Sequence, residues 1–221
     1  MQFEDRRDAG RRLAEALSFL RGRKDLLILA VPRGGVVVGA EVARALGAPL
    51  DVVIARKIGA PGNPELAIGA VAADGTVVLD DDLVARLGVP PSYIQQATEH
   101  ERAEIERRLR AYRGDRPPPE VAGKTVVLVD DGVATGATTL AAIRALRKQD
   151  PRELILAVPV GPPETIERLS REVDRVVVLA TPELFWAVGA FYSEFAQTTD
   201  QEVIDLLRES AQAQGQRTLR T

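Results

Sequence analysis

Along this chain, short continuous apolar runs alternate with stretches in which apolar residues recur every three or four positions. The first pattern reads as strands buried on both faces, the second as helices packed by one stripe. Asp5 to Arg21 is predicted as a helix with Leu13, Ala16, Leu17 and Leu20 on one side. Leu26 to Val31 is a strand, broken by Pro32, Gly34 and Gly35, and Val36 to Leu46 a helix stopped by Gly47. Val52 to Ala55 follows as a strand, which puts Arg56 and Lys57 at its carboxyl end. "GAPGNPE", Gly59 to Glu65, is rich enough in Gly and Pro to read as a loop, and Leu66 to Leu79 as a hairpin closed at Asp74-Gly75.

From Pro90 to Arg113 the pattern gives a long charged helix, followed by the stiff linker "RGDRPPPE". Val126 to Val129 is a strand ending at two aspartates, with a helix starting soon after. Leu154 to Val158 and Val176 to Ala180 are strands, Glu164 to Arg171 a helix, and a last helix lies near Asp200 to Gln212. Strand alternating with helix predicts an α/β fold, with a Rossmann-like, mostly parallel sheet covered by helices on both faces. A length of 221 residues suits a single domain spanning 1–221. Its core covers about 22–180, with a helical insertion at about 80–117 and a hood or tail at about 181–221.

Composition narrows the chemistry. The hydrophobic share is 45% and the charged share 28%, ordinary values for a globular domain. A formal charge of −3 gives no global attraction to nucleic acid, so the expected partners are small molecules. Cysteine is absent, which excludes disulfides, thiolate catalysis and Cys-ligated zinc. The one histidine, His100, falls in a Glu/Arg-rich helix and reads as a solvated surface residue. No apolar run approaches the ~20 residues of a membrane span, and the first residues have no signal-peptide core, so the expectation is a cytoplasmic protein without membrane contact.

The segment "TVVLVDDGVATGATTLAAIRALR", Thr125 to Arg147, carries the strongest signal. Asp130 and Asp131 sit at the carboxyl end of a strand, the edge where open α/β sheets bind ligands. Gly132 and Gly136 let the backbone bend toward a ligand, and the hydroxyls of Thr135, Thr138 and Thr139 can donate hydrogen bonds. The helix start that follows offers unpaired amides and a positive dipole end, a site for an anion such as phosphate. Two carboxylates repel phosphate but suit hydroxyls, or a Mg²⁺ ion held partly by waters and substrate oxygens. A ribose 5-phosphate satisfies both halves.

This string resembles the signature of the type I phosphoribosyltransferases, which bind phosphoribosyl pyrophosphate (PRPP). The resemblance covers Leu26 to Ala180 and implies that family's α/β core with a small hood or flap. It implies that Ala134, Thr135, Gly136, Ala137 and Thr138 hold the 5-phosphate, that Gly132 and Val133 belong to the same PRPP-binding stretch, and that Asp130 and Asp131 contact the 2- and 3-hydroxyls and Mg²⁺. The loop "AVPRGG" reads either as a plain strand-to-helix turn or, by the resemblance, as the family's pyrophosphate loop formed by Arg33, Gly34 and Gly35. That loop often carries a cis peptide, expected here at Arg33-Gly34 or Gly34-Gly35. Arg56 and Lys57 are either a solvated strand end or, like similar pairs in the family, cations for pyrophosphate, with the Gly/Pro loop after them as a mobile cover.

The implied activity is displacement of pyrophosphate from carbon 1 by a nitrogen acceptor, with Asp130, Asp131, Arg33 and Lys57 as the catalytic candidates. The acceptor class is a nucleobase. Ala134 stands where 6-oxopurine members of the family carry an aspartate, which turns the reading away from hypoxanthine and guanine. Leu179, Thr181, Phe185 and Trp186 are candidates for holding the acceptor, although the aromatic pair reads equally as core or interface. A homodimer is common in the family. The competing functions are a non-catalytic sensor of PRPP or nucleotide on the same fold, and hydrolysis of an activated phosphosugar.

Overall fold

The computed structural model describes residues 1–218. In chain order the elements are α1 (Arg6–Ala16), β1 (Leu26–Ala30), α2 (Gly34–Leu46), β2 (Leu50–Val52), β3 (Ala55–Ala60), β4 (Asn63–Ala72) and β5 (Val77–Leu79). They continue with α3 (Asp81–Leu87), α4 (Pro91–Arg113), β6 (Thr125–Val129), α5 (Ala137–Arg147), β7 (Glu153–Val160), α6 (Pro163–Ser170), β8 (Arg175–Ala180) and α7 (Asp200–Thr218). The last three residues of the expected tail, 219–221, lie outside the described residues.

Five parallel strands form the main sheet in the order β2-β1-β6-β7-β8. Because side chains alternate across a strand, each strand feeds two cores. Ile28, Ala30, Val127, Val129, Ile155 and Ala157 pack with α1, α2 and α7. Leu27, Leu29, Val126, Leu128, Leu154 and Leu156 face the other way, toward α5 and α6. Every residue of β1 and β6 is buried, as their unbroken apolar runs require. Sequence order reverses between β1 and β6, whose registers pair Ala30 with Val129, so the crevice at a switch point of the sheet opens between them.

The second sheet, β3-β4-β5, is antiparallel and departs from the sequence expectation. The strand expected over Val52 to Ala55 ends at Val52, and β3 begins at Ala55 in the other sheet. Gly59 to Glu65 is no open loop but the tip of the β3–β4 hairpin. Its glycines and prolines are absorbed by register shifts on either side of Gly59, where a side chain would press within 2.7 Å of Pro64, and by Gly62 at φ +73°. The Asp74-Gly75 turn forms as expected, with Gly75 at φ +86° and its amide donating to the Ala72 carbonyl at 3.0 Å. Ala70 and Ala72 of β4 lie on Ala141 and Ala145 of α5, small against small.

Helix α4 lies over β3, with the Tyr93 hydroxyl donating to the Gly59 carbonyl at 2.9 Å. His100 is exposed on it, as expected. Among the described residues no helix is long and apolar enough to cross a membrane.

The segment after β8 folds back to the beginning of the chain. Phe3 and Tyr192 form a parallel bridge, the Phe3 amide donates to the Phe191 carbonyl, and the Ser193 amide donates to the Phe3 carbonyl, both at 2.8 Å. Gly10 lets α1 cross close to α2, since a side chain there would meet the Val38 carbonyl and Glu41 Cβ at 2.8 Å.

Candidate active site

Two strand-to-helix loops meet at the carboxyl ends of β1 and β6. The Val31 amide donates to the Val129 carbonyl at 2.9 Å, so the parallel pairing extends one step past β1. The chain then turns through a cis peptide between Pro32 and Arg33 and enters α2 at Gly34. The cis bond thus precedes the two positions expected from sequence, because α2 begins at Gly34 and both glycines are already helical.

The glycines serve close approach. A Cβ on Gly34 would lie 1.9 Å from Asp131 Oδ2, and one on Gly35 would lie 2.9 Å from Asp130 Cα. No side chain fits at either position, so the Arg33–Gly35 turn rests directly against the two acids.

Asp130 keeps part of its surface open but sits deep in the crevice. Burial, and after it the charge of Asp131, raises its carboxyl well above the usual carboxylate range, although its Oδ1 accepts from the Asp131 amide at 2.8 Å. Asp131 is stabilised from the other side. Arg6 Nε donates to Asp131 Oδ2 at 2.7 Å, and both side chains are largely covered. The same guanidinium donates from Nη1 to the Ala196 carbonyl at 2.6 Å and lies 3.8 Å from the Phe195 ring centroid. Tyr192 donates to the Asp131 carbonyl, and burial raises its phenol above the ordinary tyrosine range.

The loop from Gly132 to Gly136 continues into α5. Gly136 caps the helix in the left-handed conformation at φ 72°, with no side chain covering the first amides. Ala134 and Thr135 are exposed, and their carbonyls accept from Thr165 Oγ1, at 2.8 Å, and from Arg168 on α6. Val133 is buried against the β7–α6 side of the sheet, with its amide donating to the Val160 carbonyl at 2.9 Å. The carbonyls are thus tied back while the amides at the start of α5 remain free of any side-chain cap, an arrangement that suits an anion.

Arg33 approaches Asp200 at the start of α7, with Nη1 3.8 Å from Oδ1, and the Tyr112 hydroxyl donates to the same oxygen at 2.6 Å. Burial and this bond to Asp200 push Tyr112 up to about 12. A cavity of about 460 Å³ connects these parts, and its wall includes Arg6, Arg33, Gly34, Asp130, Asp131 and Thr138. Phe195, Gln197 and Thr198 close it on the side of the C-terminal segment.

Other expected site residues stand elsewhere. Arg56 and Lys57 belong to β3, in the second sheet, rather than to the end of a main-sheet strand. Arg56 is ion-paired with Glu101 of α4, Lys57 is exposed, and of that strand only Ala55 reaches the cavity wall. Leu179 packs with the Phe3 and Tyr192 cluster, Thr181 is exposed just after β8, and Phe185 stacks on Phe191 at 5.3 Å. Trp186 is 88% exposed, and none of these four lines the cavity.

Sequence reasoning misses Arg6, Tyr192, Phe195, Gln197 and Thr198. One signal points to Arg6: it stands at helical spacing from Ala9, Gly10 and Leu13, the buried stripe of α1, where a charge needs a partner.

The acid pair offers hard oxygen donors of the kind Mg²⁺ prefers. Among the described residues no group of three or more His, Asp or Glu side chains could enclose a metal ion. Asp130 and Asp131 bring two carboxylates to the cavity wall, so an ion held there would take the rest of its shell from water and ligand oxygens, as Mg²⁺ commonly does.

The sequence profile described as "Phosphoribosyl transferase domain" matches residues 2–195. A protein of Mycobacterium tuberculosis, provisionally named a phosphoribosyl transferase in strains H37Rv and CDC 1551 alike, is 45% identical over 205 residues. The match covers 93% of this chain and 46% of that protein, so the chain spans about half the length of these relatives. The crystal structure of TT1426 from Thermus thermophilus is similar along nearly its whole length, with 47% identity, coverage of 95% of this chain and 99% of that one, and a TM-score of 0.79.

Proposed function

The chain belongs to the phosphoribosyl transferase domain family, and from that premise we propose that it transfers the ribose 5-phosphate group of PRPP to a nitrogen acceptor. The observation that carries this reading is the joining of the Arg33–Gly35 turn, an acid pair and an uncapped helix start around one cavity.

In this reading the amides at the start of α5 and the Thr138 hydroxyl hold the 5-phosphate, and Asp130 and Asp131 receive the ribose hydroxyls. Arg33 and the backbone at Gly34 and Gly35 hold the pyrophosphate. The bond from carbon 1 to the pyrophosphate oxygen breaks with its electron pair leaving on pyrophosphate. The lone pair of the acceptor nitrogen forms the new bond to carbon 1, and the acceptor's N–H proton passes to solvent water. Negative charge grows on the leaving group, so cations and amides already aimed at it favour the transition state over the ground state. Asp130 and Asp131 would hold Mg²⁺, chiefly through waters and substrate oxygens, and the ion would add charge stabilisation at the pyrophosphate.

The proposed acceptor class is a nucleobase. Phe195 lines the cavity with its ring against the Arg6 guanidinium, and Gln197 and Thr198 offer amide and hydroxyl groups that could read ring edges.

The test is pyrophosphate release from PRPP with Mg²⁺ and a pooled set of purine and pyrimidine bases. Asp131→Asn, a reaction without base and a reaction with excess chelator are the controls. Release that needs base, Asp131 and Mg²⁺ is expected. PRPP binding without release under any of these acceptors would instead assign the chain a sensing role, and release without base a hydrolytic one.

A further inference from the structure

Of the three cations that sequence reading assigns to pyrophosphate, Arg56 and Lys57 lie outside the cavity, whereas Arg6, which it passes over, lines it beside the third, Arg33. Arg56 is engaged by Glu101 and Lys57 is exposed on β3. Arg6 shares the cavity wall with Arg33 and Gly34. Its Nε would come within 2.5 Å of a Cβ built on Gly34, so the guanidinium lies against the same stretch of backbone that forms the turn into α2.

The mounting of Arg6 is rigid. Its Nε is held by Asp131 at 2.7 Å, its Nη1 by the Ala196 carbonyl at 2.6 Å, and one face of its plane is covered by Phe195. A guanidinium has five N–H donors in a fixed fork, and these two bonds use only part of it.

Resting on the transferase reading above, the geometry points to Arg6 as a second pyrophosphate-binding arginine, delivered by α1 to the cavity wall that Arg33 also lines. A planar cation with spare parallel donors matches phosphate oxygens in a way a lysine ammonium does not. Arg6 therefore does two tasks, orienting Asp131 toward the sugar and binding the leaving group.

Calorimetry on the full chain with two separate probes distinguishes these tasks. Inorganic pyrophosphate with Mg²⁺ reports the leaving-group subsite, and ribose 5-phosphate reports the sugar and 5-phosphate subsites. Arg6→Gln is expected to weaken pyrophosphate binding about tenfold or more, the scale of one lost charge-assisted contact, while ribose 5-phosphate changes far less. Arg6→Lys is expected to give intermediate pyrophosphate affinity, and it carries the test if Arg6→Gln melts too early to titrate.

Equal weakening of both probes would mean that Arg6 acts only through Asp131, and unchanged pyrophosphate affinity would mean that it does not reach the ligand; either result overturns the inference. Should wild-type protein bind PRPP yet show Arg6-independent pyrophosphate affinity, the inference alone falls. Wild-type protein that binds neither PRPP nor either probe removes the transferase reading, and the inference with it.

Discussion

Tyr192 donates its hydroxyl hydrogen to the main-chain carbonyl of Asp131, so a residue beyond the last strand fixes the backbone at the acid pair. The donor is buried, packs against Phe3 with ring centroids 5.4 Å apart, and is bridged to it through the backbone. The two ends of the fold thereby converge on one carbonyl.

Replacing Tyr192 by Phe keeps the ring packing and removes only that bond. A buried carbonyl left without its donor costs about 1–3 kcal/mol. In a domain of this size that corresponds to a melting temperature lower by roughly 2–12 °C. Differential scanning calorimetry checks the shift, and a melting temperature equal to wild type would show that the carbonyl finds another donor.

Gly34→Ala places a methyl group 1.9 Å from Asp131 Oδ2, a distance no relaxation of a flexible side-chain tip absorbs without breaking the Arg6 pair. The expected result is a folded protein with pyrophosphate release reduced about 100-fold or more, since misplacement by about an ångström is enough for such a loss. Circular dichroism together with the release assay reads both halves of this outcome.

Arg33 and Arg56 have different partners, and their substitutions should separate. Arg33→Gln removes a cation from the cavity wall and is expected to raise the PRPP concentration needed for half-maximal rate about tenfold or more. Arg56→Gln breaks an ion pair with Glu101 outside that wall, so the same constant should stay within about threefold of wild type while stability falls slightly. Steady-state kinetics on the two variants would reveal an error in this placement if their effects were reversed.

At the amino ends of the strands, Arg23 hydrogen-bonds Asp25, Glu153 and Thr125, and Thr125 also donates to Asp25 at 2.8 Å. The hydrogen bonds from Arg23, and then from Thr125, hold the Asp25 carboxyl down at about 2, against an ordinary 3.8. A depressed acid stabilises the folded state above its ordinary value and loses that contribution as pH falls through its folded one. Asp25→Asn should therefore melt below wild type at neutral pH, with the gap closing between about pH 4 and pH 2. The difference is modest because the group is partly exposed, and melting curves at several pH values measure it.

The main sheet is legible in the sequence because its strands are buried on both faces, leaving Leu26 to Ala30 and Thr125 to Val129 almost no polar residue. The acid pair and the phosphate loop are legible for a related reason: their chemistry is contiguous in sequence. The second sheet is harder. Exposed Asn63, Pro64, Glu65 and Leu66 carry no alternation, and their strand character comes from pairing with β3 rather than from their own propensities. Arg56 and Lys57 are misplaced with it, since a shift of the strand boundary from Ala55 to Val52 moves them into another sheet. Arg6 is hidden because its partner is 125 residues away, and an arginine near the start of an Arg-rich helix ordinarily faces water.

The contacts that Arg6 makes with Asp131 and Phe195, and Tyr192 with the Asp131 carbonyl, also set the order in which the site is finished during synthesis. A growing chain that has completed β8 already contains both acids, the turn into α2 and the phosphate loop. It still lacks Tyr192, Phe195 and the Ala196 carbonyl. Asp131 and Arg6 gain these partners only once the segment through Ala196 has been made and packs against the amino-terminal residues, so the finished site belongs to the longer polypeptide rather than to the nascent sheet.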